Sequence, residues 1–82
     1  MIHSDQVKQY IAAGLPCAYL DVHGDGHHFY VTVVSEHFAN KRLIDRHRLI
    51  KDIIKTQLHS NEIHALSIVK ALTPEEWNKH QG

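Results

Sequence analysis

Residues 17–35 read CAYLDVHGDGHHFYVTVVS, two alternating runs on either side of a Gly-Asp-Gly-His centre. Cys17 to His23 puts Ala18, Leu20 and Val22 on one face, and His28 to Ser35 does the same for Phe29, Val31 and Val33. Alternation with a period of two marks half-buried strands. Gly24-Asp25-Gly26-His27 between them supplies glycines that take positive φ without steric cost, so the spacing predicts a β-hairpin with a short loop.

Helical patterns flank the hairpin. Upstream, Val7, Tyr10 and Ile11 have helical spacing behind Ser4, an N-cap residue type, and Gly14-Leu15-Pro16 ends the run, which predicts a helix over 4–14. Downstream, Leu43, Ile50, Ile53, Ile54 and Leu58 mark a long helix that closes near His59, where Ser60-Asn61 breaks it. Ile63 to Ala71 alternates again, with Leu66 and Ile68 on one face, as a third strand. Thr73-Pro74-Glu75-Glu76 then opens a short last helix: Thr73 at the N-cap, Pro74 at N1 where no N–H is needed, and Glu76 at N3 to close a capping box. Trp77 sits on that helix as its anchor.

The order α-β-β-α-β-α predicts an α+β fold in a single domain over residues 1–82. A helical crossover makes strands two and three parallel, and the hairpin makes strands one and two antiparallel, so the three-stranded sheet is mixed. The hairpin loop lies at the end where both parallel strands begin. His23, His27 and His28 are therefore expected on the edge where His64 opens strand three.

A chain of 82 residues has material for one modest core. Its one cysteine, Cys17, rules out an internal disulfide and fits a reducing compartment. The start lacks a signal-peptide pattern and no run approaches the roughly 20 apolar residues of a membrane span, so the expectation is a soluble, cytoplasmic chain with no membrane partner. Nine Lys/Arg balance nine Asp/Glu overall, but Lys41, Arg42, Arg46, Arg48, Lys51 and Lys55 are opposed locally only by Asp45 and Asp52. That stretch carries an excess of four positive charges and the remainder of the chain the matching negative excess. Nine histidines add groups that titrate nearest neutrality and ligate metals.

Enzyme signatures are missing. The chain has no Gly-rich phosphate loop, nucleophile elbow, HExxH spacing or Cys–His–Asn order, and Asp21, Asp25, Glu75 and Glu76 are accounted for by turns and caps. A non-enzymatic role is expected.

Four blocks in this order, Gly24-Asp25-Gly26-His27-His28-Phe29, Arg46-His47-Arg48, Ile63-His64-Ala65-Leu66-Ser67-Ile68 and Thr73-Pro74-Glu75-Glu76-Trp77, resemble the BolA/IbaG family. The resemblance implies a fold like the class II KH domain, with helices packed on one side of the mixed sheet. It also implies pairing with a monothiol glutaredoxin across a bridging [2Fe–2S] cluster, in cluster trafficking or in iron and stress regulation. In that picture the histidine matching His64 is a cluster ligand, and a second Cys or His comes from the loop between strands one and two. The partner supplies a cysteine and a glutathione thiol, so the isolated chain, a monomer or weak homodimer, is expected to carry no cofactor.

This sequence departs from the family pattern in two places. The loop has no cysteine, and Cys17 is too early in strand one to stand in for it, which leaves His27, His28 or His23 as the second ligand. Two imidazoles on one iron are chemically sufficient, as Rieske centres show. Asn40 stands where the family commonly has glycine after Phe38, and asparagine tolerates left-handed φ better than most residues.

The competing reading is a nucleic-acid-binding transcriptional regulator that uses Arg42, Arg46, His47, Arg48, Lys51 and Lys55 to neutralise phosphates. Against it stands a solvated helix face with Asp45–Arg48 and Asp52–Lys55 pairs. The GXXG loop with which KH modules clamp nucleic-acid backbone is also absent.

Overall fold

Pro16 lacks an N–H and follows the last helical turn, so the chain must leave α1 (Ser4–Gly14) as extended backbone. A computed structural model describes residues 3–57 and 65–81. After α1 come β1 (Tyr19–Gly24), β2 (His28–Val34), a 3₁₀ turn (Glu36–Phe38), α2 (Leu43–Gln57), β3 (Ala65–Leu72) and α3 (Pro74–Gln81). The sheet order is β1-β2-β3, with β1 and β2 antiparallel and β2 and β3 parallel. The mixed sheet read from the connections is the one that forms. Among the described residues no helix is long and apolar enough to cross a membrane.

Phe29, Val31 and Val33 of β2 are fully buried, with Val22 of β1 and Ala71 of β3 on the same face. Val7 and Ile11 of α1, Ile50 and Ile54 of α2 and Phe38 of the 3₁₀ turn pack against them. Each fully buried aliphatic or aromatic side chain here contributes about 1.5–3 kcal/mol relative to exposure. Those contacts place α1 and α2 on the expected side of the sheet. α3 departs from the expected packing of helices on one side and serves the opposite face, because its Trp77 stacks on Tyr19 at 5.0 Å between centroids, and Tyr19 alternates away from Leu20 and Val22. Val34, on that same outer face, is fully buried.

β3 contains a register shift that simple alternation does not foresee. Ile68 partners Val31 but Lys70 partners Thr32, so Val69 is an extra residue, 54% exposed. Without this bulge Lys70 would share the core face with Leu66 and Ile68. With it, Ala71 takes the core position opposite Val33, and Lys70 Nζ lies 5.6 Å from the Trp77 ring centroid on the outer face.

Helix ends differ from the sequence reading at one place and match it at two. Ser4 is not the cap: His3 holds the N-cap position without a side-chain bond, and its carbonyl accepts from the N–H groups of Gln6 and Val7. The capping box of α3 forms in full, with Thr73 N–H donating to Glu76 Oε1 at 2.8 Å and Glu76 N–H to Thr73 Oγ1 at 3.2 Å. Asn40 takes φ 64°, the left-handed conformation expected at this glycine-like position. β1 opens at Tyr19, two residues beyond Cys17. Leu58, His59, Ser60, Asn61 and Ile63, assigned above to a helix end, a break and a strand start, lie outside the described residues.

Candidate functional site

The hairpin loop is held by one carboxylate. Asp25 Oδ1 accepts the backbone N–H of His27 and of His28, both at 2.9 Å. Those two bonds, that from His28 first, hold the Asp25 carboxyl below its ordinary value. Gly26 has φ 95°, and a Cβ at Gly24 would overlap the His28 carbonyl oxygen. Both glycines are therefore required by the tight return. The result leaves His27 exposed at the tip and makes His28 the first residue of β2.

His28 alternates with Phe29 and so faces away from the core. Its ring stacks on Tyr30 at 4.5 Å between centroids, and its Nε2 lies 2.8 Å from Ser67 Oγ. His23, the cross-strand partner of Tyr30, stacks on the same ring at 5.3 Å and places Nδ1 3.1 Å from Asp21 Oδ2. An ionised carboxylate only accepts, so this bond sets the proton on Nδ1 of His23 and leaves the Nε2 lone pair free. A serine hydroxyl can donate or accept. When Nε2–H of His28 donates to Ser67, the Nδ1 lone pair is the free one, the second-shell pattern typical of metal-ligating histidines.

Of the four candidate ligands, the structure gathers His23 and His28 around Tyr30 and leaves His27 apart at the tip. His64 lies outside the described residues. The next residue, Ala65, is the register partner of His28 in the parallel β2–β3 pair. Among the described residues no three His, Cys, Asp or Glu side chains converge to hold a metal ion. Cys17 sits toward the other end of the sheet, beside Ala18, whose N–H bonds Val34 O. Its thiol is 3.1 Å from Leu15 O, and burial raises its pKa, which disfavours the thiolate that ligates metals.

Tyr30 and Ser67 were given no role in the sequence, and Asp21, accounted for there by turns and caps, instead lies within β1 and faces His23. Tyr30 follows His28 by two residues and so shares its face. Asp21 precedes His23 by two on β1 for the same reason. Ser67 needs the β2–β3 register, which pairs it with Tyr30.

The basic stretch divides into free and engaged cations. Arg46 is 11% exposed: Nη1 donates to Glu76 Oε1 at 2.7 Å and to Ala71 O at 2.9 Å, Nε donates to Lys41 O at 2.9 Å, and the guanidinium lies 5.8 Å from the Phe38 ring centroid. The Arg46 hydrogen bond, helped by the Thr73 N–H, pulls Glu76 down to about 2. Asp45 takes Arg42 at 3.2 Å and Arg48 at 3.9 Å. Among the described residues no ion pair joins Asp52 to Lys55, so only the first of the two expected helix pairs forms. Lys51 and Lys55 are exposed and His47 is half-buried.

Comparison with known proteins gives a consistent result. The family model described as BolA-like protein matches residues 4–76. Protein BOLA2 of Arabidopsis thaliana is 41% identical over 81 residues, covering 94% of this chain and 85% of its own length. A protein of Vibrio cholerae named DNA-binding transcriptional regulator BolA is 46% identical over 56 residues, 68% of this chain and 51% of that one. Among solved structures, a bolA protein homologue from Coxiella burnetii superposes with a TM-score of 0.81 at 35% identity, covering 95% of this chain and 99% of that one.

Proposed function

The chain belongs to the BolA-like protein family, and from that premise we propose that it is a non-enzymatic, cytoplasmic partner of a monothiol glutaredoxin, with which it holds a bridging [2Fe–2S] cluster through histidine ligands. The observation that carries the reading is the register of His28 with Ala65 at the loop end of the sheet. It brings one imidazole beside the residue that directly follows His64 in the chain. The donor set fits the group: imidazole nitrogen is an accepted iron ligand, and Ser67 and Asp21 are the kind of hydrogen-bond partners that orient such rings. Bound there, the cluster would supply electron-accepting and cluster-donating chemistry. His64 and one of His28, His23 or His27 would hold this chain's share, and a cysteine of the glutaredoxin and a glutathione thiol would complete it.

The test is anaerobic reconstitution of the chain with and without a monothiol glutaredoxin and glutathione, read by visible absorption and circular dichroism. A spectrum that appears only with both proteins, distinct from that of the glutaredoxin alone, is the expected result. A spectrum unchanged by adding this chain contradicts the reading.

The nucleic-acid reading has the name of the Vibrio cholerae relative and the exposed Arg42, Arg48, Lys51 and Lys55 in its favour. It loses Arg46, whose guanidinium is occupied by Glu76 and two carbonyls. A true DNA binder would lose affinity steeply with salt as counterions are released.

A further inference from the structure

Leu43 belongs by spacing to the stripe of α2 that buries Ile50 and Ile54, yet it is 58% exposed. Ile44 beside it is also 58% exposed. By helical spacing Ile44 shares a face with His47, Arg48, Lys51 and Lys55, and no carboxylate lies on that stripe. Asp45 and Asp52 are both displaced from it around the helix. Two adjacent large apolar side chains open to water, with Arg48, Lys51 and Lys55 along one stripe and only Asp45, which pairs with Arg42 and Arg48, and Asp52 to offset them, are an unusual use of surface in a helix whose opposite stripe is well packed.

We propose that Leu43 and Ile44, with Arg48, Lys51 and Lys55 beside them, form a docking surface for a protein segment that presents apolar side chains among carboxylates. Charge complementarity selects that occupant. A polyanion without apolar groups, such as duplex nucleic acid, would leave Leu43 and Ile44 facing phosphate and water, gaining nothing from their burial. An acidic amphipathic helix buries both and pairs the lysines at the rim, the arrangement of a hydrophobic contact centre within a polar border.

The surface is separate from the histidine end. Arg46, in the same first turn, bonds Ala71 near the finish of β3, whereas His28 partners Ala65 at its start. Six residues of strand place the apolar pair at the start of α2 about 20 Å from the histidine end, while the lysines of the stripe run back along the helix toward it. A second protein can therefore bury the apolar pair in the first turn of α2 while the loop end is engaged. This inference stands whether or not a cluster is held there.

The experiment titrates the ¹⁵N-labelled protein with a synthetic amphipathic helix carrying leucines at i and i+4 flanked by glutamates. Its lysine-for-glutamate counterpart, a short DNA duplex and anionic phosphatidylglycerol vesicles serve as comparisons. The glutamate peptide should shift amides within 41–55, leave His23 and His28 unmoved, and bind about tenfold more weakly to the double variant Leu43→Ser, Ile44→Ser. Both positions are exposed, so that variant should keep the wild-type melting temperature. Equal affinity for the double variant, equal binding of the lysine peptide, or preference for duplex or vesicles would each overturn the proposal.

Discussion

Arg46 in the first turn of α2 and Glu76 in the first turn of α3 form an ion pair at 2.7 Å, with the arginine largely buried and the glutamate at the surface. The pair does more than join two helices. Glu76 simultaneously closes the capping box by accepting Thr73 N–H, and Arg46 satisfies the carbonyls of Ala71 and Lys41. Two stretches of chain, 41–46 and 71–76, are thus tied through one guanidinium and one carboxylate.

Replacement of Arg46 by Ala removes its bonds to Glu76, Ala71 and Lys41 and leaves a part-buried carbonyl at Ala71 without its donor. Loss of a charged hydrogen-bond network of this kind costs about 2 kcal/mol. Urea unfolding should show that loss, with Arg46→Lys recovering only part of it because an ammonium cannot reproduce the planar fork. A change below about 0.5 kcal/mol would mean that water replaces the network fully.

Glu76 also sets an acid limit. Its folded pKa, about 2, lies below the ordinary 4.5. A depressed folded value means its contribution is fully present above 4.5 and disappears as pH falls from there through about 2. Glu76→Gln should therefore be less stable than wild type at neutral pH, and the difference should narrow below 4.5 and vanish near 2. A difference independent of pH would assign the effect to packing rather than charge.

The sequence made the hairpin and the α3 cap legible because each depends on residues close together in the chain, Gly24 to Gly26 for the loop and Thr73 to Glu76 for the cap, and the parallel crossover legible through the long helix between strands two and three. It did not disclose the bulge at Val69, since Leu66, Ile68 and Ala71 fit two different registers until β2 selects one. Leu43 shares the spacing of Ile50 and Ile54 yet is exposed, because periodicity assigns a face but not what covers it. At the candidate site, His23 and His28 were recognisable, whereas Ser67 and the Arg46–Glu76 link depend on contacts 39 and 30 residues apart in sequence.

Gly24 should be intolerant of any side chain. A Cβ there meets the carbonyl oxygen of His28 and the Phe29 backbone, neither of which can move without opening the hairpin. Gly24→Ala is expected to cost about 1–3 kcal/mol, the range for forcing atoms into a packed site, measured by chemical unfolding. An unchanged midpoint would show that the loop readily adopts another path.

Asn40 offers the opposite case. With φ at 64°, the position suits glycine better than any L-residue. Asn40→Gly should hold or raise the thermal midpoint, and Asn40→Val should lower stability by about 1–2 kcal/mol. A tolerated valine would contradict the left-handed conformation.

The most direct measurement of the central claim is reconstitution of the His64→Ala variant with a monothiol glutaredoxin under anaerobic conditions, with urea unfolding run in parallel. If His64 and a loop histidine hold this chain's share of the cluster, the variant keeps a cooperative unfolding transition but fails to give the mixed-protein absorption and circular dichroism spectrum. His28→Ala should shorten the cluster's lifetime unless His23 or His27 substitutes. Recovery of the wild-type spectrum and cluster lifetime by His64→Ala would contradict the account.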